Sequence, residues 1–180
     1  MIYVVRHGQT DWNREGRLQG RKGLELNEEG QRQAEALRER LGAVAFDYVY
    51  SSPQARAVQT AELATGAKAV IDGRLDVFDL GEADGLHRSV VRLAGAIPDP
   101  NVYPGVEDIQ RFMGRVFSFM QELEKKLAGE EANILIAGHR CTTGAIGAYF
   151  EGLPADGNIL KLSSGNGDYR IYDFEGRMRA

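Results

Sequence analysis

Met1-Ile2-Tyr3-Val4-Val5-Arg6-His7-Gly8 is the stretch from which the rest of the chain can be read. A continuous apolar run with an isoleucine and two valines reads as a buried strand. At its end a guanidinium and an imidazole stand side by side, and Gly8 allows a sharp turn or a close approach to the backbone. Two further apolar runs end in comparable groups. Phe46-Asp47-Tyr48-Val49-Tyr50 leads into Ser51-Ser52-Pro53-Gln54-Ala55-Arg56, and Asn133-Ile134-Leu135-Ile136-Ala137 leads into Gly138-His139. In doubly wound sheets, ligands bind outside the carboxyl ends of the strands. If these strands are neighbours, two arginines and two histidines converge from distant parts of the chain.

Between the strands the pattern changes to a helical one. Asn27 is suited to cap a helix running through Leu41, with Ala34, Leu37 and Leu41 on one face and Gly42 as a stop. Ser51-Ser52-Pro53 predicts a serine cap with proline in the first turn, and a helix ending near Gly66. Asp11 to Gly23 reads as a loop, and Ala69-Val70-Ile71 as a short strand. From Val106 to Leu127, apolar residues recur at helical spacing, and the methionines and phenylalanines among them read as core. A helix from about Thr142 to Phe150 follows the third strong strand. Ile159 to Leu162 and Tyr169 to Phe174 read as two closing strands around the turn Gly165-Asn166-Gly167, a hairpin with an antiparallel member. Alternating strands and helices predict an α/β fold: a three-layer α/β/α arrangement around a mixed, mainly parallel sheet. Residues 1–180 read as one domain. Glycine and proline punctuation weakens the pattern between Asp72 and Pro104, and about 82–105 reads as a short substrate-facing insertion.

The 180 residues suit one sizeable core, and the shares of hydrophobic (43%) and charged (27%) residues are those of an ordinary globular protein. A formal net charge of -4 argues against a general nucleic-acid or membrane-surface binder. An anionic ligand would therefore need a local cationic pocket. Cys141 is the only cysteine, which excludes an internal disulfide and a cysteine metal cluster. The apolar start is too short for a signal-peptide core or a membrane span, so the expectation is a cytoplasmic protein.

The convergent residues point to phosphate chemistry. Arginine forks bind phosphoryl oxygens bidentately and stay cationic. A neutral histidine can attack phosphorus and form a covalent intermediate that water breaks down, while a second, protonated histidine can donate to a phosphoryl oxygen.

These residues and their order resemble the histidine phosphatase superfamily, also called phosphoglycerate mutase-like. Val5-Arg6-His7-Gly8-Gln9-Thr10-Asp11-Trp12-Asn13 resembles the family's opening block. Gly20 and Leu26-Asn27-Glu28-Glu29-Gly30 resemble its next segment. Ser51-Ser52-Pro53-x-x-Arg56-Ala57-x-Gln59-Thr60-Ala61 resembles its second block, Pro104-Gly105-Val106-Glu107 a later segment, and Gly138-His139 its final block. The resemblance implies that His7 is the phosphorylated nucleophile, that Arg6, Arg56 and His139 complete the phosphate pocket, and that Asn13 and Gly20 contact substrate. It implies no metal and no cofactor, and a small phosphorylated metabolite as partner. The implied activity is phosphomonoester hydrolysis, with a cofactor-dependent mutase as the alternative.

One departure stands out. The family's general acid comes from a Leu-x-Glu-x-x-x-Gly segment, and in Leu75-Asp76-Val77-Phe78-Asp79-Leu80-Gly81 the glutamate position is Val77. Asp76, Asp79 and Glu82 are the candidate replacements. The family's other arrangement has an aspartate after the second histidine, where this chain has Arg140. The missing glutamate also motivates a third expectation, a weakly active or inactive phosphate-binding module.

Overall fold

A computed structural model describes residues 1–175. In chain order the elements are β1 (Ile2–Arg6), α1 (Asp11–Glu15), α2 (Glu28–Arg40), β2 (Tyr48–Ser51), α3 (Ala55–Thr65) and β3 (Val70–Ile71). Then come a small hairpin of β4 (Leu93–Ala94) and β5 (Ile97–Pro98), α4 (Ile109–Lys126), β6 (Ile134–Gly138), α5 (Arg140–Glu151) and β7 (Tyr169–Tyr172). The main sheet has the order β3-β2-β6-β1-β7; every pairing is parallel except that of β7 with β1.

Alternation along the strands divides the core in two, because successive side chains leave a strand on opposite faces. Ile2, Val4, Ile134 and Ile136 face α4 and α5, while Val5, Val49, Leu135 and Ala137 face α2 and α3. The three-layer α/β/α architecture is therefore present, with the mixed sheet in the middle. Among the described residues, no helix is long and apolar enough to cross a membrane.

Several local expectations are corrected. Asp11 to Gly23 is not all loop. Thr10 and Asn13 form a reciprocal capping box, each side-chain oxygen accepting from the other's backbone N–H at 3.3 and 3.0 Å, and this closes the short α1. Helix α3 begins at Ala55 with Gln54 as its cap and no capping bond from the Gln54 side chain; the Ser52 hydroxyl accepts from the Gln54 N–H at 3.3 Å and also contacts a histidine. Helix α4 starts three residues later than Val106, behind Asp108, which accepts from the Gln110 N–H at 2.9 Å.

The closing hairpin is absent. Ile159–Leu162 is a 3-10 turn capped by Asn158 and seated on α5, where a Cβ at Gly144 would lie 2.3 Å from the Ile159 carbonyl oxygen. Four apolar-rich residues do not distinguish a strand from a helical turn by period. The antiparallel strand is β7, and its partner is β1.

The insertion contains 3-10 turns at Gly81–Ala83 and Arg88–Val90 and the β4–β5 hairpin. Its base is pinned by bridges between Leu80 and Val106 and between Arg17 and His87.

Candidate active site

Strand order builds the site. Strands β2, β6 and β1 are adjacent, with Arg6 in register with Gly138 and Ser51 with Ala137. The His7 N–H continues the ladder to the Gly138 carbonyl at 2.9 Å, and the Ser52 N–H to that of Ala137 at 3.1 Å. His7, His139 and Ser52 thus leave the sheet side by side at its carboxyl edge. The imidazole centroids are 5.2 Å apart, and both rings are buried, 4% and 3% exposed.

His7 has a defined tautomer. Its Nδ1 lies 2.6 Å from the Gly8 carbonyl oxygen, which can only accept, so Nδ1 carries the proton and Nε2 keeps the lone pair. Burial, then the charge of Arg56, push its pKa down to about 3; the bond to Gly8 opposes the shift and Arg6 adds to it. His7 is therefore a neutral base at ordinary pH. Gly8 itself serves backbone packing rather than ligand approach. A Cβ there would stand 2.5 Å from the Gly30 carbonyl oxygen, so only glycine lets the first turn of α2 cross this loop.

His139 caps α5 and contacts the Ser52 hydroxyl through Nε2 at 2.8 Å, while its buried Nδ1 has no partner among the described residues. Burial and the charges of Arg56, His7, Arg6 and Arg115 hold it well below its ordinary pKa. Burial first, and then the nearby arginines, thus favour the neutral form of His139 in the unliganded site.

Arg6 donates to the Ser164 carbonyl at 3.3 Å, and Arg56 to that of Gly20 at 2.8 Å. Each keeps a buried Nε without a partner among the described residues. Burial lowers both guanidinium pKa values to about 10, which leaves both cationic.

A cavity of about 410 Å³ opens over this floor, walled by Arg6, His7, Asn13 and His139 among others. Arg56, 1% exposed, lies behind the wall rather than on it. Gly20 is also behind it, donating to Asp84 at 2.8 Å while its carbonyl receives Arg56. Asp84 additionally accepts from Lys22 N–H at 3.0 Å, so this carboxylate braces the loop over Arg56. Asn13 is on the wall, but its oxygen accepts from Thr10, and Asn166 contacts it at 3.4 Å.

No aspartate or glutamate among the described residues lines this cavity; Val77, buried, does. Asp76 accepts from its neighbour's N–H at 2.7 Å and from Gln54 at 2.9 Å, and faces Arg21 at 3.6 Å. Asp79 accepts from Gly81 N–H at 3.0 Å and also faces Arg21 at 3.6 Å. Glu82 is exposed, its backbone held by the Pro104 carbonyl. All three thus lie off the wall. The loop's register is set by Arg115, which donates to the carbonyls of Arg74, Asp76 and Val77 and pairs with Glu107.

Four more residues are on the wall: Arg17 and Gln19, which no sequence feature singled out, Arg88, which reads as a surface-loop residue, and Arg140. Arg17, Arg88 and Arg140 add exposed cations, and Gln19 a buried side-chain nitrogen without a partner among the described residues. Only Arg140, directly after His139, was locatable from a strand end. No group of three or more His, Cys, Asp or Glu side chains among the described residues could hold a metal ion.

The chain matches the family model of the histidine phosphatase superfamily (branch 1) over residues 2–179. It belongs to that family. It is 30% identical to a Hydrogenobacter thermophilus protein named "Putative phosphoserine phosphatase 2", over 97% of this chain and 90% of the relative. It is 29% identical to a Klebsiella pneumoniae protein named "Probable phosphoglycerate mutase GpmB", over 86% of this chain and 76% of the relative. Similar solved structures include a phosphoglycerate mutase from Thermus thermophilus, with TM-score 0.71, 29% identity, and 93% and 90% of the two chains covered. Another, titled "Mycobacterial hydrolase 1", has TM-score 0.80 and 28% identity, with 93% and 88% covered. The superfamily comprises phosphatases and mutases.

Proposed function

We propose that this chain hydrolyses phosphomonoesters through a phosphohistidine on His7. The observation that carries the reading is the Nδ1–H bond from His7 to the Gly8 carbonyl at 2.6 Å, which leaves Nε2 with its lone pair on a histidine that walls a guanidinium-lined cavity. In the first step Nε2 bonds to phosphorus, the ester P–O bond breaks, and the leaving oxygen takes a proton from solvent. In the second, water attacks phosphorus, the P–N bond breaks, and inorganic phosphate leaves with His7 neutral again.

Arg6 and Arg56 are assigned to hold the charge that spreads over the phosphoryl oxygens. A charge pair at about 4 Å is worth about 4 kcal/mol at an effective dielectric constant of 20. His139 is assigned to donate a hydrogen bond to one of those oxygens, oriented by Ser52.

With Val77 on the wall and Asp76, Asp79 and Glu82 off it, protonation of the leaving group is the weak part of the reaction. General acid catalysis typically contributes about 10²–10⁴-fold, so esters of acidic alcohols are the favoured substrates. Hydrolysis is preferred to mutase activity because a mutase must retain its intermediate while the substrate reorients, and the segment at about 82–105 is a small cover.

The test is turnover of a generic aryl phosphate with rapid-quench detection of a phosphohistidine. His7-dependent release of phosphate is expected, unaffected by chelators. Efficient isomerisation of 3-phosphoglycerate in the presence of bisphosphoglycerate would replace this reading with the mutase. The absence of any His7-dependent turnover would replace it with a binding module.

A further inference from the structure

A second, larger chamber of about 900 Å³ lies beside the His7 cavity, between the β4–β5 hairpin, α4 and the segment after α5. The two share four wall residues: Ala96, Ile97, Cys141 and Leu160. None of these carries charge, since burial pushes the Cys141 thiol up to about 11. On α4 the chamber wall is Ile109, Gln110, Met113, Gly114 and Phe117, and the three large apolar side chains among them keep part of their surface exposed. Periodicity alone assigned those residues to the core. They do pack against the core, and they also wall the chamber: Phe112, Val116 and Met120 are fully buried, while the neighbouring row of Ile109, Met113 and Phe117 is only partly so. The only carboxylate on the wall among the described residues, Asp156, is exposed and paired with Lys161.

We propose that the substrate is an amphiphilic phosphomonoester, its phosphoryl group beside His7 and the apolar body of its alcohol in this chamber. The inference rests on the hydrolase reading above and adds the substrate class. The phosphoryl end is located by buried nitrogens that have no partner among the described residues, His139 Nδ1 and Arg6 Nε. The apolar end is located by the four uncharged residues that the two cavities share, which put the chamber next to the alcohol side of a phosphoryl group bound at His7. A small polar metabolite would leave most of a chamber of this size in contact with water. An apolar group would be taken out of water there, and burying apolar surface is the main favourable term in such sites.

The test is a series of 4-alkylphenyl phosphates with methyl, butyl and hexyl chains, in which leaving-group acidity stays nearly constant while apolar length grows. Full burial of a methylene corresponds to roughly a three- to fourfold gain, so kcat/KM is expected to rise by about tenfold or more from methyl to butyl. Gly114→Leu reports on the chamber itself. Gly114 is on its wall, a Cβ there meets nothing within 4 Å, and leucine is the better helix former. In that variant the butyl-to-methyl ratio is expected to fall towards one.

The matching 4-alkylphenyl phosphonates, titrated calorimetrically into wild type and Gly114→Leu, read the chamber without chemistry. Affinity rising with chain length only in wild type supports the proposal even if nothing is hydrolysed, in which case the hydrolase reading alone fails. His7-dependent turnover with a flat chain-length profile overturns the chamber proposal and leaves the hydrolase reading in place. A flat profile together with a dimer that Gly114→Leu dissociates in sedimentation would assign the chamber to a second copy of the chain, and would equally overturn it.

Discussion

The strand ends of β2, β6 and β1 and the loop at about 72–84 both carry charged or ionisable side chains, but they use them in opposite ways. In the loop, hydrogen bonds are largely closed. Asp72 accepts from Arg74, Asp76 from Gln54 and Val77, Asp79 from Gly81, and Asp84 from Gly20 and Lys22. At the strand ends Arg6, Arg56 and His139 keep buried nitrogen atoms without partners among the described residues. Buried polar groups are ordinarily satisfied, and each exception asks for an explanation. The contrast makes the acidic loop a brace and fits the strand ends to the phosphate-binding role proposed for them. It also explains why Asp76 and Asp79 are not on the cavity wall: their oxygens hold the turn together.

Removing the nucleophile tests the contrast most severely. His7→Ala should lower kcat/KM for an aryl phosphate by about 10³-fold or more, the scale of losing a covalent nucleophile. Steady-state kinetics check this, with circular dichroism confirming the fold. Next is the attempt to give the strand ends the acid they lack. Val77→Glu places a carboxyl on the cavity wall and should raise the ratio of alkyl to aryl phosphate turnover by about tenfold or more. An unchanged ratio would mean that leaving-group protonation is supplied elsewhere.

The third effect is on stability. The folded pKa of His7 is about 3 and that of His139 is also depressed, both below the unfolded value near 6.5. Between these values the unfolded chain binds more protons, so this contribution is complete above about pH 6.5 and is lost as pH falls towards 3. Thermal melts from pH 7 to pH 4 should therefore show a smaller fall in Tm for a His7→Gln, His139→Gln double variant than for wild type. Smallest is Asp79→Asn. It keeps an oxygen for the Gly81 N–H and should leave aryl phosphate turnover nearly unchanged, with stability within about 0.5 kcal/mol in chemical denaturation. A large loss of turnover would move Asp79 from the brace to the reaction.

Legibility followed the range of the forces involved. The strand beginning at Ile2, the helix behind Asn27 and the stop at Gly66 were readable because apolar period and capping act within a few residues. The short helix closed by Thr10 and Asn13 was missed because it has no apolar period, and Ile159–Leu162 was misread because four residues carry no period at all. At the site, His7 and His139 were readable as strand-end residues. Ser52 was read as a helix cap, and only the adjacency of β2 and β6 turns its hydroxyl to His139.

By itself, then, the amino-acid order determined the alternation of strands and helices, the two histidines and two arginines near strand ends, and the absence of glutamate at position 77. Those are local properties of the chain. Tertiary structure alone decided that β6 lies between β2 and β1, that Arg56 sits behind the wall, that Asp76, Asp79 and Glu82 lie off it, and that one row of α4 opens onto a second chamber. The reason is physical: a side chain's partner and its contact with water depend on which distant elements pack beside it, and no local pattern encodes that.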